Sequence, residues 1–366
     1  MRIALIEGLS GLGSMRRYAA RLADSLPACG VEVARVPRRA QQLIPLAERG
    51  AVARVFFYLD KYLLLQLRAL AARGTRAHVT DHGYGHLLFS LRPGRACVTV
   101  HDLAPFVSER WGQPVGRAAA AFRYSLRAMR RAGRLVTPTA AVREDILVRT
   151  GFPPDRVVVV PNGVDAGWVR VSEGAERAEW RARFKIERGR RFLLHVGGTE
   201  PRKNVEGLIE VFARLDCPDE RELWLVHAGA PFTRAQRARA DALGVADRIV
   251  AHGACDDAEL GALYSLAELL VFPSFYEGFG WPPLEAAACG TASVVGDTPA
   301  ARETLGEAAA LADPHAPDAL SGAIRALLED ETDRRALAAK AEARAREFTW
   351  ERTASALAKV YAEMEG

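Results

Sequence analysis

Short apolar runs bounded by glycine or proline alternate along the chain with longer segments whose apolar positions recur every three or four residues. Runs of the first kind read as strands buried on both faces, and the second period reads as helix. Ile3 to Ile6 is the first such run, followed by Gly8-Leu9-Ser10-Gly11-Leu12-Gly13 and a helical pattern from Met15 to Leu26 that Gly30 ends. Val31 to Val36 is the next strand, which makes a β-α-β opening. Ala96 to Val100, Leu135 to Thr139 with a helix through Val148, and Val157 to Val160 continue the series up to the turn Pro161-Asn162-Gly163-Val164-Asp165.

A second series starts at Phe192 to Val196 and a helix from Val205 to Leu215. Strands at Glu222 to Ala228 and Arg248 to Ala251 follow, with helices at Arg234 to Leu243 and Asp257 to Ser265. Leu269 to Phe272 then ends in a glycine loop, and Pro282-Pro283 opens an Ala-rich helix. Val294-Val295, helices at Pro317 to Leu328 and Asp333 to Arg346, and an amphipathic helix from Trp350 to Met364 complete the pattern. Two such series predict an α/β protein of two doubly wound, Rossmann-like domains facing a cleft. The boundaries expected are 1–171 and 191–346, with 172–190 a polar linker carrying a short helix and 347–366 a terminal helix.

Composition narrows this little, with 49% hydrophobic and 26% charged residues, ordinary for a globular chain. No apolar stretch approaches the roughly 18 residues that a membrane span needs, and the start lacks a signal-peptide core, so a cytosolic protein is expected. Cys29, Cys97, Cys217, Cys255 and Cys289 stand singly, which argues against a disulfide framework or a cysteine zinc site. Charge changes the picture more. Met1 to Ala175 carries 26 Lys+Arg against 13 Asp+Glu, a net of +13, whereas the remainder is net −8. A basic front half suits nucleic acid, an anionic membrane surface or an anionic substrate. Arg123, Arg127, Arg130, Arg131 and Arg134 fall at the spacing of one helix face, with a plain solvated face as the alternative. Val52 to Ala72, rich in Phe, Tyr and Leu, reads as a helix packed on the sheet, with a lipid-docking surface as its alternative.

Candidate chemistry sits in the loops. Gly278 and Gly280 let backbone approach a ligand, and the helix after Pro282 offers free N–H groups to an anion. Glu277 and Glu285 flank that loop. Gly197-Gly198 followed by Arg202-Lys203 at a helix mouth reads as a pyrophosphate clamp that needs no metal. His101-Asp102 lies at the carboxyl end of a strand, where a histidine can donate to a sugar hydroxyl or a developing negative charge. His78, His82 and His86 recur every four residues, but Gly83 and Gly85 interrupt a helix there, so the segment reads as a loop and not a metal site. Gly11 and Gly13 are compatible with a dinucleotide turn, against which stand the lack of G-x-G-x-x-G and the place of Glu32 inside its strand.

Glu277-Gly278-Phe279-Gly280 with Glu285-Ala286 and Cys289-Gly290 resembles the paired-glutamate signature of glycosyltransferase family 4. Pro201-Arg202-Lys203-Asn204, His101-Asp102 and Pro161 to Asp165 resemble that family as well. The resemblance implies a GT-B fold whose last helix crosses back onto the first domain, and retaining, metal-independent transfer with no cofactor. It implies that Arg202 and Lys203 hold a GDP- or UDP-linked donor's diphosphate and that Glu285 accepts from ribose hydroxyls. Glu277, with Gly278 and the Phe279 and Gly280 amides, would hold the sugar, and His101 would contact it. Ala254 lies where the base is read, and Gly11 and Gly13 near the donor phosphates and the acceptor.

The expected function is hexose transfer (mannose, glucose or N-acetylglucosamine class) to a glycan or lipid-linked acceptor in cell-surface polysaccharide or glycolipid synthesis. An anionic membrane surface is kept as a partner, placing the protein on its inner face. Nucleic acid is not expected, because the basic residues lack interleaved aromatics. A sugar-nucleotide epimerase and a non-catalytic sugar-nucleotide-binding subunit are the alternatives.

Overall fold

A computed structural model of the chain describes residues 1–7, 13–36, 59–72, 74–111, 117–168, 170–172, 174–184, 186, 190–215 and 223–364. The chain forms two compact units. One comprises Met1–Val107, Pro114–Gly163 and Trp350–Gly366; the other comprises Ser108–Gln113 and Val164–Thr349. The main division thus falls at Gly163, before the residue 171 read from the sequence, because Val164 and Trp168 are buried in the second unit's core.

The first unit is built on β1 (Arg2–Ile6), β2 (Glu32–Val36), β3 (Arg76–Val79), β4 (Ala96–Thr99), β5 (Arg134–Thr137) and β6 (Val157–Val159). They form one parallel sheet in the order β2-β1-β3-β4-β5-β6. Its central strands are buried on both faces, hence their unbroken apolar runs. The short β3 has no such run, since Arg76 and His78 occupy two of its four positions. His78 is fully buried and spends both ring nitrogens inside the unit, at 2.7 Å from the Tyr361 hydroxyl and 2.8 Å from Thr99 Oγ1. Tyr361 belongs to the terminal helix Trp350–Ala362, so this bond ties the end of the chain to the first sheet.

Tyr361→Phe leaves a fully buried imidazole nitrogen without its partner, and should lower stability in urea unfolding by about 1–3 kcal/mol. Burial, with a smaller contribution from His101, also lowers the His78 pKa to about 3. The unfolded chain therefore binds more protons, and the unit loses stability as pH falls from 6.5 toward that value.

Two expectations change here. His82 to His86 is not a loop but the start of a 3₁₀ helix, His82–Phe89. Asp81 caps it by accepting from the Gly83 amide at 2.8 Å, and Gly85 packs where a Cβ would lie 2.6 Å from Met129. The arginine row is not one helix face either. Its helix, Arg117–Met129, stops before Arg130, Arg131 donates to the carbonyls of Leu88 and Leu91, and Arg134 opens β5. In the Val52 to Ala72 segment, 52–58 lie outside the described residues. The rest forms a π-helical turn, Asp60–Leu64, and the helix Leu65–Ala71, which buries Leu65 and Ala69 while leaving Leu63, Leu67 and Leu70 between 44% and 54% exposed.

The second unit is built on β7 (Arg191–Gly197), β8 (Leu223–Gly229), β9 (Ile249–Gly253), β10 (Leu269–Phe272), β11 (Ser293–Gly296) and β12 (Ala310–Ala312). These too are parallel, in the order β12-β11-β10-β7-β8-β9. The strand order therefore reverses between β7 and β10, the topological switch point at which open α/β sheets open a crevice at their carboxyl ends. The helix Pro299–Thr304 and the three-residue β12 were not expected from the sequence, being too short to show a period.

Candidate active site

The loop after β7 and the loop after β10 meet at this switch point. Glycine makes the meeting sterically feasible. Gly197 and Gly229, the last residues of β7 and β8, both have positive φ, and a Cβ on Gly229 would lie 2.0 Å from the Gly197 carbonyl oxygen. Beyond Gly197 the chain makes a 3₁₀ turn, Pro201–Lys203, and enters the helix Val205–Ala213 through Asn204, whose φ of 54° is the one positive value among described residues other than glycine. Asn204 holds that conformation by donating to the carbonyls of Pro273 (3.2 Å) and Pro314 (2.9 Å). Its side chain lies where a Cβ on Gly207 would come within 2.2 Å of its carbonyl oxygen, so Gly207 is required. The Phe275 amide donates to the Arg202 carbonyl at 2.8 Å, completing the junction.

This backbone brings together three of the predicted residues. Lys203 Nζ lies 2.7 Å from Glu277 Oε1, and Arg202 Nη1 lies 3.1 Å from Glu277 Oε2. Their side chains are 9%, 18% and 13% exposed for Lys203, Arg202 and Glu277. Burial pushes the Glu277 carboxyl up, but the Lys203 and Arg202 charges together outweigh it and hold the group below its ordinary value. Burial is also the largest influence on Lys203, lowering its pKa against the pull of Glu277. Glu277 bridges the two cations, and the Glu200 charge acts on Lys203 as well; charge-assisted donors of this kind suit a phosphate oxygen.

Glu285 lies in the helix Trp281–Ala288, capped by Gly280 at φ 85°, and is only 3% exposed. One of its oxygens accepts from the buried Tyr264 hydroxyl at 2.8 Å. Phe279 turns its ring into the unit's core, 6.0 Å from Trp281 and 5.5 Å from Phe348, which leaves its backbone and that of Gly278 and Gly280 to form the loop. Ala254 is exposed just past β9, after Gly253 at φ 89°. Gly13 opens the first helix, where among the described residues no atom outside its own helix lies within 4 Å of an added Cβ, and Gly11 lies outside the described residues.

His101, in the first unit, is 6% exposed and spends its Nε2 on the Thr80 carbonyl at 2.8 Å. A carbonyl only accepts, so Nε2 carries the hydrogen and Nδ1 is the acceptor nitrogen. Burial and then His82 lower its pKa to about 4, so the ring is neutral at pH 7. The expected donor role is thereby corrected: in this arrangement His101 can accept from a hydroxyl through Nδ1.

Sequence reasoning missed a buried histidine pair behind the clamp. His195 and His227 are register partners on β7 and β8, with Nδ1 atoms 2.8 Å apart, and His227 Nε2 donates to the Ala230 carbonyl at 2.7 Å. The pair fastens the β8 loop beside the β7 loop. Two histidines at strand positions 195 and 227 were visible, but their pairing follows from the register and not from spacing.

Comparison with known proteins fits this architecture. Residues 15–168 match the family described as Glycosyltransferase Family 4, and residues 176–344 match Glycosyl transferases group 1. The serotype-specific mannosyltransferase WbdA of Escherichia coli is 30% identical over 268 residues, covering 72% of this chain but 32% of WbdA, so the chain spans about a third of that relative. The O-antigen chain mannosyltransferase B of Escherichia coli is 28% identical over 80% of this chain and 77% of its own length. Among solved structures, Anabaena HepE, crystallised with UDP and glucose, superposes over 100% of both chains with a TM-score of 0.79 at 17% identity. The two parallel six-stranded sheets are thus those of a GT-B fold. With both family matches together spanning most of its length, the chain belongs to glycosyltransferase family 4.

Proposed function

We propose that this chain transfers a hexose from a nucleoside diphosphate sugar to a hydroxyl of a glycan or lipid-linked acceptor, with retention of configuration and without a metal. One observation carries the reading: at the switch point of the second sheet, Arg202 and Lys203 converge on Glu277. On donor binding the two cations take the diphosphate and offset the charge that grows on it as the glycosidic bond breaks. Glu277 holds them in place and, with the amides of Phe279 and Gly280, faces the sugar. Glu285, oriented by Tyr264, accepts from the ribose hydroxyls, the backbone at Ala254 borders the base, and His101 accepts from a sugar hydroxyl through Nδ1. The mannosyltransferase relatives support a sugar of the mannose class, and the UDP and glucose held by HepE support a nucleotide-sugar donor, GDP- or UDP-linked.

The test is incubation of GDP- and UDP-hexoses with glycan acceptors in the presence of a chelator, with the product's anomeric coupling read by proton NMR. The expected product keeps the donor's configuration. Inversion contradicts the retaining step, and conversion of the donor without an acceptor favours an epimerase.

A lipid-linked acceptor is the class we favour. Among the described residues no helix is long and apolar enough to cross a membrane. Leu63, Leu67 and Leu70 are exposed beside Lys61 and Arg68, a composition that suits the face of an anionic bilayer. Sedimentation with anionic vesicles at low salt should retain the protein, and its absence from the pellet removes the peripheral-membrane part of the reading.

A further inference from the structure

His101 has a neighbour of opposite hydrogen-bonding character in the same unit. His82 and His101 stand just beyond the carboxyl ends of β3 and β4, which are neighbouring strands of the first sheet. The His101 amide donates to His82 Nδ1 at 3.3 Å. An amide nitrogen only donates, so His82 Nδ1 is the acceptor and Nε2 carries the hydrogen. In His101 the Nε2 hydrogen is spent on the Thr80 carbonyl, and the acceptor Nδ1 is left over. Among the described residues neither His82 Nε2 nor His101 Nδ1 has a hydrogen-bond partner. One donor and one acceptor therefore remain, on rings whose centres are 6.3 Å apart, with His82 half-buried and His101 6% exposed.

Both rings are held from behind. Tyr18, in the helix Gly13–Ser25, meets the His101 ring edge-on at 90°, with 4.8 Å between centres. It is 1% exposed, and its hydroxyl lies 2.9 Å from Thr99 Oγ1, the atom that also binds His78. His101 thus leans on the buried network that ties down the terminal helix. Phe122 meets the His82 ring at 4.8 Å and 68°, and Phe106 packs on Phe122 at 5.1 Å. Rings fixed by aromatic neighbours and a backbone bond lose little freedom when a ligand arrives.

A ligand for this pair must donate to one nitrogen and accept from the other, at lengths of about 2.7–3.2 Å. A hydroxyl does both, and two hydroxyls on adjacent sugar carbons do it with one group each. A phosphate or carboxylate oxygen only accepts, which sets its lone pair against that of Nδ1, and an ammonium only donates, which strands the Nε2 hydrogen. The charges of Asp81 and Asp102 also act on His101, which further disfavours an anion.

We propose that His82 is a second substrate-contacting residue beside His101, and that the two together take neighbouring hydroxyls of a sugar. The sugar class rests on the hexose-transfer reading, and the test separates the two by reading binding alone. The full chain, labelled with nitrogen-15 at histidine, is titrated with methyl α-mannoside, methyl α-glucoside and N-acetylglucosamine, with and without UDP, and followed by long-range proton–nitrogen NMR. At least one sugar should shift His82 Nε2 and His101 Nδ1 together. Two amide substitutions distinguish contact from scaffolding. His82→Asn keeps an oxygen near the Nδ1 position for the His101 amide but has no donor near Nε2. His82→Gln places an amide hydrogen near Nε2 and gives up the other bond. Contact with substrate predicts that His82→Asn weakens sugar binding about fivefold or more and that His82→Gln recovers most of it. The reverse order, equal effects of the two substitutions, or no shift at either histidine with any of the sugars overturns the proposal. Failure of the transfer reading looks different: the wild type then binds no nucleoside diphosphate and forms no glycoside, whichever way the two substitutions fall.

Discussion

Glu277→Ala is expected to lower unfolding stability by about 3–5 kcal/mol and to abolish sugar transfer. The size follows from what the substitution leaves behind. Lys203 and Arg202 have side chains 9% and 18% exposed, and Glu277 is the acid both of them reach. Truncating one partner of a buried pair strands the other charge away from water, at a cost of several kcal/mol. The pH dependence has a definite sign. The Glu277 pKa lies below its usual 4.5, so its contribution to stability is present above that value and is lost as pH falls through the lower, folded pKa. Glu277→Gln keeps the shape and removes the charge, and should flatten the acid side of the stability profile in urea titrations. A Glu277→Ala protein as stable as wild type from pH 4 to 7 would show that the cluster is screened by solvent and not a buried ion pair.

Gly229→Ala should destabilise the second unit by about 2–6 kcal/mol, combining overpacking of roughly 1–3 with backbone strain of roughly 1–3. The new Cβ meets the Gly197 oxygen at 2.0 Å and its carbonyl carbon at 2.9 Å, and φ at residue 229 is +140°. Both atoms it meets are backbone, so no side chain can swing aside. The strand that must move is β7, whose end leads into Arg202 and Lys203, so donor binding should weaken along with stability. Gly30→Ala is the control: φ is +73° there but nothing lies within 4 Å, so only strain of about 1–2 kcal/mol is expected. Equal urea midpoints for the two variants would rule out the close approach as the cause.

How far the chain was legible depended on the range of each interaction. The apolar runs at Ile3 to Ile6, Phe192 to Val196 and Leu269 to Phe272 are local patterns, and each is a strand. Strand order is not local. Nothing in residues 193 and 269 says that they are register partners, yet that pairing creates the switch point. Glu277 and the Arg202-Lys203 pair were each visible as chemistry, but their ion pair spans 74 residues. The tautomer of His101 rests on the Thr80 carbonyl, and backbone acceptors leave no trace in a sequence. Arginines spaced as a helix face misled at Arg131 and Arg134, because Gly133 approaches Gly94 so closely that a Cβ there would lie 2.1 Å from the Gly94 oxygen, and the chain turns from helix to strand around it. Short elements such as β3 and β12 are set by their neighbours in the sheet and carry too few residues to show a period.

The most direct test of the central claim is a titration of the protein with GDP, UDP, ADP, dTDP and NADH in the presence of a chelator, repeated on Lys203→Met. The account predicts that one nucleoside diphosphate binds the wild type without metal. Lys203→Met should weaken it by about 1.5–3 kcal/mol, the worth of one charge-assisted bond. Binding of NADH alone, of no nucleotide, or of a nucleoside diphosphate with the same affinity in Lys203→Met would contradict it.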